Sequence, residues 1–176
     1  HRVKGTDGAY RTILSLGRPV RNDRDRITSW VGFNLDISGR KEAEAALRES
    51  EARFRMMADT APVMVWMAGP DTHITFINKR WLEFTGRTVQ EEIGDNWFTG
   101  IHADDLDRCR KSYLQAFKSE QPFFLEYRLR RHDGEYRWFL ARALPVRDAA
   151  GRILRWYGTC TDIHEQKLFQ TQREQL

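Results

Sequence analysis

An internal repeat constrains this chain more than any other feature, because its first forty residues recur near its end. The two stretches align without gaps at an offset of 126 positions, and roughly 16 of about 40 aligned residues are identical. The matching words are D-G-A-Y-R at 7–11 with D-G-E-Y-R at 133–137, P-V-R at 19–21 and 145–147, R-I at 26–27 and 152–153, W-V-G at 30–32 with W-Y-G at 156–158, and D-I at 36–37 and 162–163. A repeat with a fixed offset indicates two copies of one structural unit. We therefore expect a fragment of a longer polypeptide that holds the last part of one domain and all of a second.

The second copy has the pattern of short strands, several helices and a three-strand meander. The apolar runs 63–67 and 74–77, separated by G-P-D, predict a hairpin. Asn78 is a typical helix N-cap, and the alternation of apolar and polar residues over 123–130 predicts a half-buried strand. The predicted fold class is α+β: a five-stranded antiparallel sheet with helices on one face, preceded by a partial copy of three strands and by a connector helix.

The order of these elements and their short sequence motifs resemble those of the PAS family, in its common bacterial form with a PAC tail. The resemblance covers about residues 51–167 in full and 2–41 as a second tail. Two positions depart from the family pattern: Ala103 replaces a helix-starting proline, and His164 stands where threonine is usual, with Ser38 at the matching position of the first copy. The words that carry the resemblance are F-I-N-K-R-W at 76–81, F-T-G at 84–86, H-A-D-D at 102–105, E-Y-R at 126–128, D-G-E-Y-R-W at 133–138 and T-D-I at 161–163.

The domain organisation follows from the repeat and from the resemblance. We expect the C-terminal strands of a preceding PAS domain at 1–37, a connector helix at 38–58, a complete domain at 59–163 and the start of a signalling helix at 164–176. In PAS proteins such connectors resemble parallel two-stranded coiled coils, which predicts a homodimer; the alternative is a stripe that packs on its own domain. The stripe has heptad spacing and consists of Ala43, Leu47, Ser50, Phe54 and Met57.

A ligand cavity, if present, is expected between the sheet's inner face and the helices. The alternative is a core filled by its own aromatic side chains. The family's ligands include haem, flavins and small carboxylates, but the segment 94–98 reads G-D-N-W-F without a reactive thiol, and His102 has the place of a helix cap rather than of an axial ligand. The cofactor is therefore unknown, and neither haem nor flavin-adduct chemistry is expected. The candidate lining residues are Trp81, Phe84, Tyr113, Tyr127, Trp138 and Tyr157.

The strand-to-helix joints are the candidate signal junctions. Asp36 ends the strands of the first copy, and Asp162 with Ile163 ends those of the second. We expect Asp162 to cap the following helix or to pair with an arginine; the alternative is an ordinary surface turn. The hypothesis is that a ligand or partner shifts a two-state equilibrium, which this joint passes to the next helix.

Several function classes are not expected. No phosphate-cradling glycine loop, activated nucleophile or metal-spaced pair is visible, so we expect no enzyme here and an output catalytic domain, such as a histidine kinase or a diguanylate cyclase, outside the chain. The net charge of +4 comes with arginines that alternate with apolar residues, which favours a solvated sheet face over nucleic-acid binding. No run of about 18 apolar residues predicts a membrane span. Cys109 and Cys160 are expected to be buried, reduced thiols of a cytoplasmic protein.

The sequence thus predicts a sensory and signal-relay module that couples small-ligand or partner sensing to a downstream domain. The alternative is a ligand-free module for protein interaction and dimerisation. The expected partners are a second copy, the neighbouring domains of the same chain and a small-molecule ligand, without nucleic acid or membrane.

Overall fold

The structure, a computed structural model, describes residues 1–174. Its elements form two compact units, 1–54 and a second that begins at Arg55. The last two residues of the predicted signalling helix, 175–176, lie outside the described residues. Each unit has its own antiparallel sheet.

The first unit is a three-stranded meander followed by a helix. Strands β1 (Arg2–Lys4), β2 (Tyr10–Arg21) and β3 (Ile27–Asp36) lie side by side in chain order. Helix α1 (Ser38–Thr60) follows β3, and its last residues belong to the second unit. Nearly all side chains of β2 and β3 are exposed.

The second unit is a five-stranded antiparallel sheet in the order β5-β4-β8-β7-β6. Helices connect β5 to β6 and pack on one face of this sheet, which confirms the predicted fold class. The elements in chain order are β4 (Met64–Ala68), β5 (Ile74–Ile77), α2 (Lys79–Thr85), α3 (Val89–Glu92), a 3-10 helix (Asn96–Gly100), α4 (Ala103–Ser119), β6 (Phe123–Arg130), β7 (Tyr136–Arg147), β8 (Ile153–Asp162) and α5 (His164–Glu174).

Local sequence explains where α2 begins and ends. The Asn78 side chain accepts a hydrogen bond from the backbone N–H of Trp81, which caps the first turn. Gly86 ends the helix with a φ of 69°, a left-handed conformation that glycine adopts without strain. A Cβ at this position would also come within 2.7 Å of the His132 Cβ. Space and backbone conformation therefore both require glycine here.

Strand periodicity places the core on one face of the second sheet. In β6 every second side chain, from Phe123 to Leu129, is buried, and the intervening ones are more exposed. From the other side, α4 contributes Cys109, Tyr113 and Ala116 to the same core. The core is therefore a single layer between the sheet's inner face and the helices.

The two meanders have the same strand register. Ile13 pairs with Asp36 in the first sheet, and Phe139 pairs with Asp162 in the second, 126 positions later. Each later pair of β2 and β3 has its counterpart in β7 and β8, including a bulge after Val20 and a bulge after Val146. The sequence repeat is thus a structural repeat down to its irregularities.

Candidate functional site

The joint between β8 and α5 is held by one carboxylate with two roles. Asp162 Oδ2 accepts a hydrogen bond from Arg137 Nε at 2.8 Å, and Oδ1 accepts one from the backbone N–H of His164 at 2.9 Å. The next residue, Ile163, is buried and donates its backbone N–H to the Trp138 carbonyl at 2.9 Å. Asp162 therefore caps α5 and pairs with an arginine at the same time, whereas the sequence left these roles as alternatives.

The first copy has the same joint. Asp36 accepts a hydrogen bond from the backbone N–H of Ser38 at 2.9 Å and lies 3.7 Å from Arg11 Nε. Ile37 donates its backbone N–H to the carbonyl of Thr12, also at 2.9 Å. Both joints therefore fix the first turn of the following helix to the middle strand of their own three-strand meander, β2 in the first copy and β7 in the second.

The His164 imidazole accepts the hydrogen bond that a serine hydroxyl accepts in the first copy. In the first copy, the Ser38 Oγ accepts the backbone N–H of Thr12 at 2.8 Å. In the second copy, His164 Nδ1 accepts the equivalent N–H of Trp138 at 3.4 Å. The departure from the family pattern therefore preserves the acceptor that this backbone group needs.

On the outer face of the second sheet, the Trp138 indole contacts two cations. The Arg128 guanidinium is 5.2 Å from the centre of the indole, and Lys167 Nζ of α5 is 5.5 Å from it. Lys167 also forms an ion pair with Glu126 of β6. These contacts hold the first turns of α5 against the sheet.

Arg128 continues this contact chain to the helical side of the domain. Its backbone N–H and its Nε donate to Asp105 Oδ2, in the first turn of α4, at 3.0 and 2.8 Å. Burial on its own would raise the pKa of Asp105, but these hydrogen bonds outweigh it and lower the pKa to about 2. The route from α4 to α5 runs through Asp105, Arg128, Trp138 and Lys167. Sequence reasoning missed it, because Asp105 and Arg128 lie 23 positions apart on different elements and no local sequence signal joins them.

The structure brings together four of the six predicted lining residues. Trp81, Tyr113 and Tyr127 are almost fully buried in one core cluster, and Phe84 packs edge-on against Phe139 with 4.8 Å between ring centres. The other two, Trp138 and Tyr157, lie on the opposite, outer face.

The placement of Trp138 and Tyr157 follows from the two-residue period of a strand. Their neighbours Phe139 and Trp156 are the buried ones, so the residues next to them point away from the core. Trp138 is also directly paired with Arg128, a residue of the polar face of β6. The expectation that all six aromatic residues share the inner face is therefore corrected for these two.

Comparison with known proteins agrees with this geometry. Residues 74–160 match the family model described as the PAS fold. The chain contains a PAS domain. The PAS domain of a protein from Colwellia psychrerythraea has a TM-score of 0.53 and 17% identity, covering 68% of this chain and 98% of that one. An RNA-binding light-oxygen-voltage receptor has a TM-score of 0.62 and 23% identity, covering 94% of this chain and 43% of that one. These likenesses show the fold.

Curated relatives are much longer than this chain. The uncharacterized protein y4lL of Sinorhizobium fredii is 34% identical over 172 residues, which are 98% of this chain and 21% of that protein. The peroxide stress-activated histidine kinase mak1 of Schizosaccharomyces pombe is 35% identical over 184 residues, 96% of this chain and 11% of that protein. The chain therefore spans about a fifth or less of the length of these two relatives.

The interior of the PAS domain is closely filled. A residual cavity of about 10 Å³ lies among aromatic and aliphatic side chains that include Trp66, Trp81, Trp97 and Tyr127. The indole N–H groups of Trp81 and Trp97 are buried, and neither has a hydrogen-bond partner within residues 1–174. The inner face is therefore a packed core with two unused donors beside a very small space.

The two cysteines of the PAS domain are free and buried. Burial raises the pKa of Cys109 and of Cys160 to about 12, and the Tyr127 hydroxyl lies 3.4 Å from Cys160 Sγ. Among residues 1–174, no group of three or more His, Cys, Asp or Glu side chains has metal-binding geometry, and no helix is long and apolar enough to cross a membrane.

Proposed function

We propose that this chain is a sensory and signal-relay module of a multidomain signal-transduction protein. The observation that carries the proposal is the joint present in both copies, in which an Asp-Ile pair fixes the start of a helix to the middle strand of a three-strand meander. Relatives named as histidine kinases and as a two-component sensor support a signalling context. The module works in the cytoplasm, and the output enzyme lies outside the chain.

The proposed organisation keeps the four segments derived from the repeat. Residues 1–37 are the last strands of a preceding PAS domain, 38–58 a connector helix, 59–163 the complete domain and 164–176 the start of a following signalling helix. The repeated register of the two meanders supports the first and third segments. A helix follows each meander directly, which supports the second and fourth.

The relay is proposed to run through the contact chain from α4 to α5. A ligand or partner that prefers one position of α4 moves the Asp105 carboxylate, and Arg128 transfers the change to the indole on which Lys167 rests. A ligand shifts such an equilibrium by its difference in affinity for the two states. The consequence is a change in the start of α5, which leads out of the domain.

The connector is proposed to form a parallel two-stranded coiled coil in a homodimer. Leu47 and Met57 of the heptad stripe are exposed in the chain described here, although both are large and apolar. Exposed apolar residues at a/d spacing are the usual seam of such a dimer.

A ligand-free module for interaction and dimerisation is the second candidate. The observation that favours it is the filled core, because about 10 Å³ leaves no room for a small organic molecule. Native mass spectrometry of the purified chain separates the two candidates. A reproducible added mass that leaves on denaturation supports ligand sensing, and a clean dimer supports the ligand-free module.

The relay itself is tested by Asp105→Asn, with Asp107→Asn as the matched control. Asp107 is exposed on the same helix, so its substitution changes the same charge without touching Arg128. We expect Asp105→Asn to speed hydrogen exchange in the first turns of α5, and Asp107→Asn to leave it unchanged. Faster exchange confined to α4 and β6 would contradict the relay.

A further inference from the structure

A groove of about 330 Å³ opens beside α2, between the start of β4 and the end of β8. Its floor is apolar and is formed by Met64, Phe84, Phe139 and Cys160. This volume is within the range of small-molecule sites, which begins at about 300 Å³. Unlike the small cavity of the core, the groove is large enough to take up an organic molecule.

Most charges at the rim of the groove are already neutralised. Asp162 is bound to Arg137, and Glu83 lies 3.5 Å from Lys79. Arg131 donates to Asp133 at 2.6 Å and forms a further ion pair with Glu135. These rim side chains therefore add little net charge.

One cationic side chain at the rim lacks such a partner. Within residues 1–174, no hydrogen bond or ion pair of the Arg80 guanidinium is found, whereas the neighbouring His132 interacts electrostatically with Asp133; both side chains line the groove. Arg80 is fully charged at neutral pH and presents several N–H donors. An occupant with a negative head would satisfy those donors, whereas a cation would be repelled.

We propose that this groove binds a small organic anion, an apolar body that carries one carboxylate or similar acidic head. The body lies against Met64, Phe84 and Phe139, and the head accepts hydrogen bonds from Arg80, with His132 beside it. The proposal goes beyond the relay function and does not depend on it, because it rests on the shape and charge of the groove. The groove also touches Asp162, so an occupant contacts the residue that caps α5.

Octanoate is a suitable probe, because it joins a flexible apolar chain to one carboxylate. Titration of the whole chain, followed by NMR chemical shifts, is expected to give saturable shifts at Met64, Phe84 and Cys160. Octan-1-ol, which has the same chain and no charge, should bind at least about tenfold more weakly, a difference of about 1.4 kcal/mol.

Arg80→Glu tests the head group, and Arg155→Glu is the matched control. Both arginines are exposed, so neither substitution is expected to unfold the domain, and circular dichroism checks this. Arg80→Glu should weaken octanoate binding at least about tenfold, with no change for Arg155→Glu and little for octanol. The absence of saturable shifts, equal binding of octanoate and octanol, or unchanged binding to Arg80→Glu would each overturn the proposal.

Discussion

Asn78 uses all of its hydrogen-bonding groups inside the protein. Its Oδ1 accepts from the backbone N–H groups of Val65 and Trp81, at 2.9 and 3.3 Å. Its Nδ2 donates to the carbonyls of Ala58 and Val63, at 2.8 and 3.0 Å. One fully buried side chain thus joins the end of α1, the start of β4 and the start of α2. The sequence predicted its role as a cap, and the other three bonds depend on the tertiary fold.

Asn78→Ala is therefore expected to lower the free energy of unfolding by about 3 kcal/mol, because it removes a helix cap and leaves buried backbone groups without partners. Urea denaturation measures this loss. The control is Asn96→Ala at an exposed position, which should change the stability by less than about 0.5 kcal/mol. A loss below about 1 kcal/mol for Asn78→Ala would show that water replaces these hydrogen bonds.

Glu92 is a buried carboxylate, with 1% of its surface exposed, beside Arg87 at 3.3 Å. Burial raises its pKa above the ordinary 4.5, and the charge of Arg87 opposes this without cancelling it. The folded state therefore holds this proton at a pH where the unfolded chain has released it. Glu92 consequently lowers stability as the pH rises from 4.5 through its folded pKa.

Glu92→Gln is expected to remove this pH dependence. The free energy of unfolding of the variant minus that of the parent chain should be larger at pH 7 than at pH 5. Urea denaturation of both proteins at both pH values measures this difference. Glu91→Gln is the control, and the opposite pH trend is expected for it, because hydrogen bonds from Thr88 lower the pKa of Glu91. The free energy of unfolding of this variant minus that of the parent chain should be smaller at pH 7 than near pH 4. If the two variants had the same pH trend, burial would not govern Glu92.

At the scale of elements, Gly158 of β8 leaves room for an indole side chain of β4. Gly158 is paired with Trp66, and a Cβ there would lie 2.1 to 2.5 Å from atoms of the indole. The indole thus occupies the space of the missing side chain. The glycine of the repeated W-Y-G motif is therefore required by packing in the second copy.

Gly158→Ala should destabilise the domain by about 3 kcal/mol, since the buried Trp66 ring cannot move aside without disturbing the core. Gly39→Ala in the first turn of α1 is the matched control, because a Cβ there meets no atom within 4 Å; alanine favours the helix, so stability should stay the same or rise slightly. Thermal unfolding of both variants provides the comparison. Equal melting temperatures would mean that the sheet adjusts at no cost.

The sequence predicted the elements well and their side-to-side contacts less well. The meander, the caps at Asn78 and His102 and the helix that follows each Asp-Ile pair all depend on local patterns. The pairing of Asp105 with Arg128 joins residues 23 positions apart on different elements, and no local pattern encodes it. The outward direction of Trp138 depends on the phase of the strand, which the two adjacent aromatic residues Trp138 and Phe139 leave open.

At the scale of the whole molecule, the first meander presents a large apolar surface. Paired residues of β2 and β3 have their side chains on the same face, and Leu14 with Leu35 and Leu16 with Phe33 are two such pairs. Exposed apolar patches of this kind mark surfaces that meet a partner. The exposed apolar residues on this face are Leu14, Leu16, Val31, Phe33 and Leu35.

The connector stripe follows this meander in the sequence and also exposes large apolar side chains. We therefore expect the purified chain to form a dimer. Sedimentation velocity over a range of concentrations measures the dissociation constant. Leu47→Asp places a charge in the heptad seam and should raise that constant more than about tenfold. Ala52→Asp adds the same charge at an exposed position off the stripe, so it should leave the constant nearly unchanged. If both variants remained dimers of unchanged affinity, the contact would lie on the apolar face of the meander and the helix would have another role. Because the two outcomes separate helix from sheet, this measurement decides which of them joins two copies.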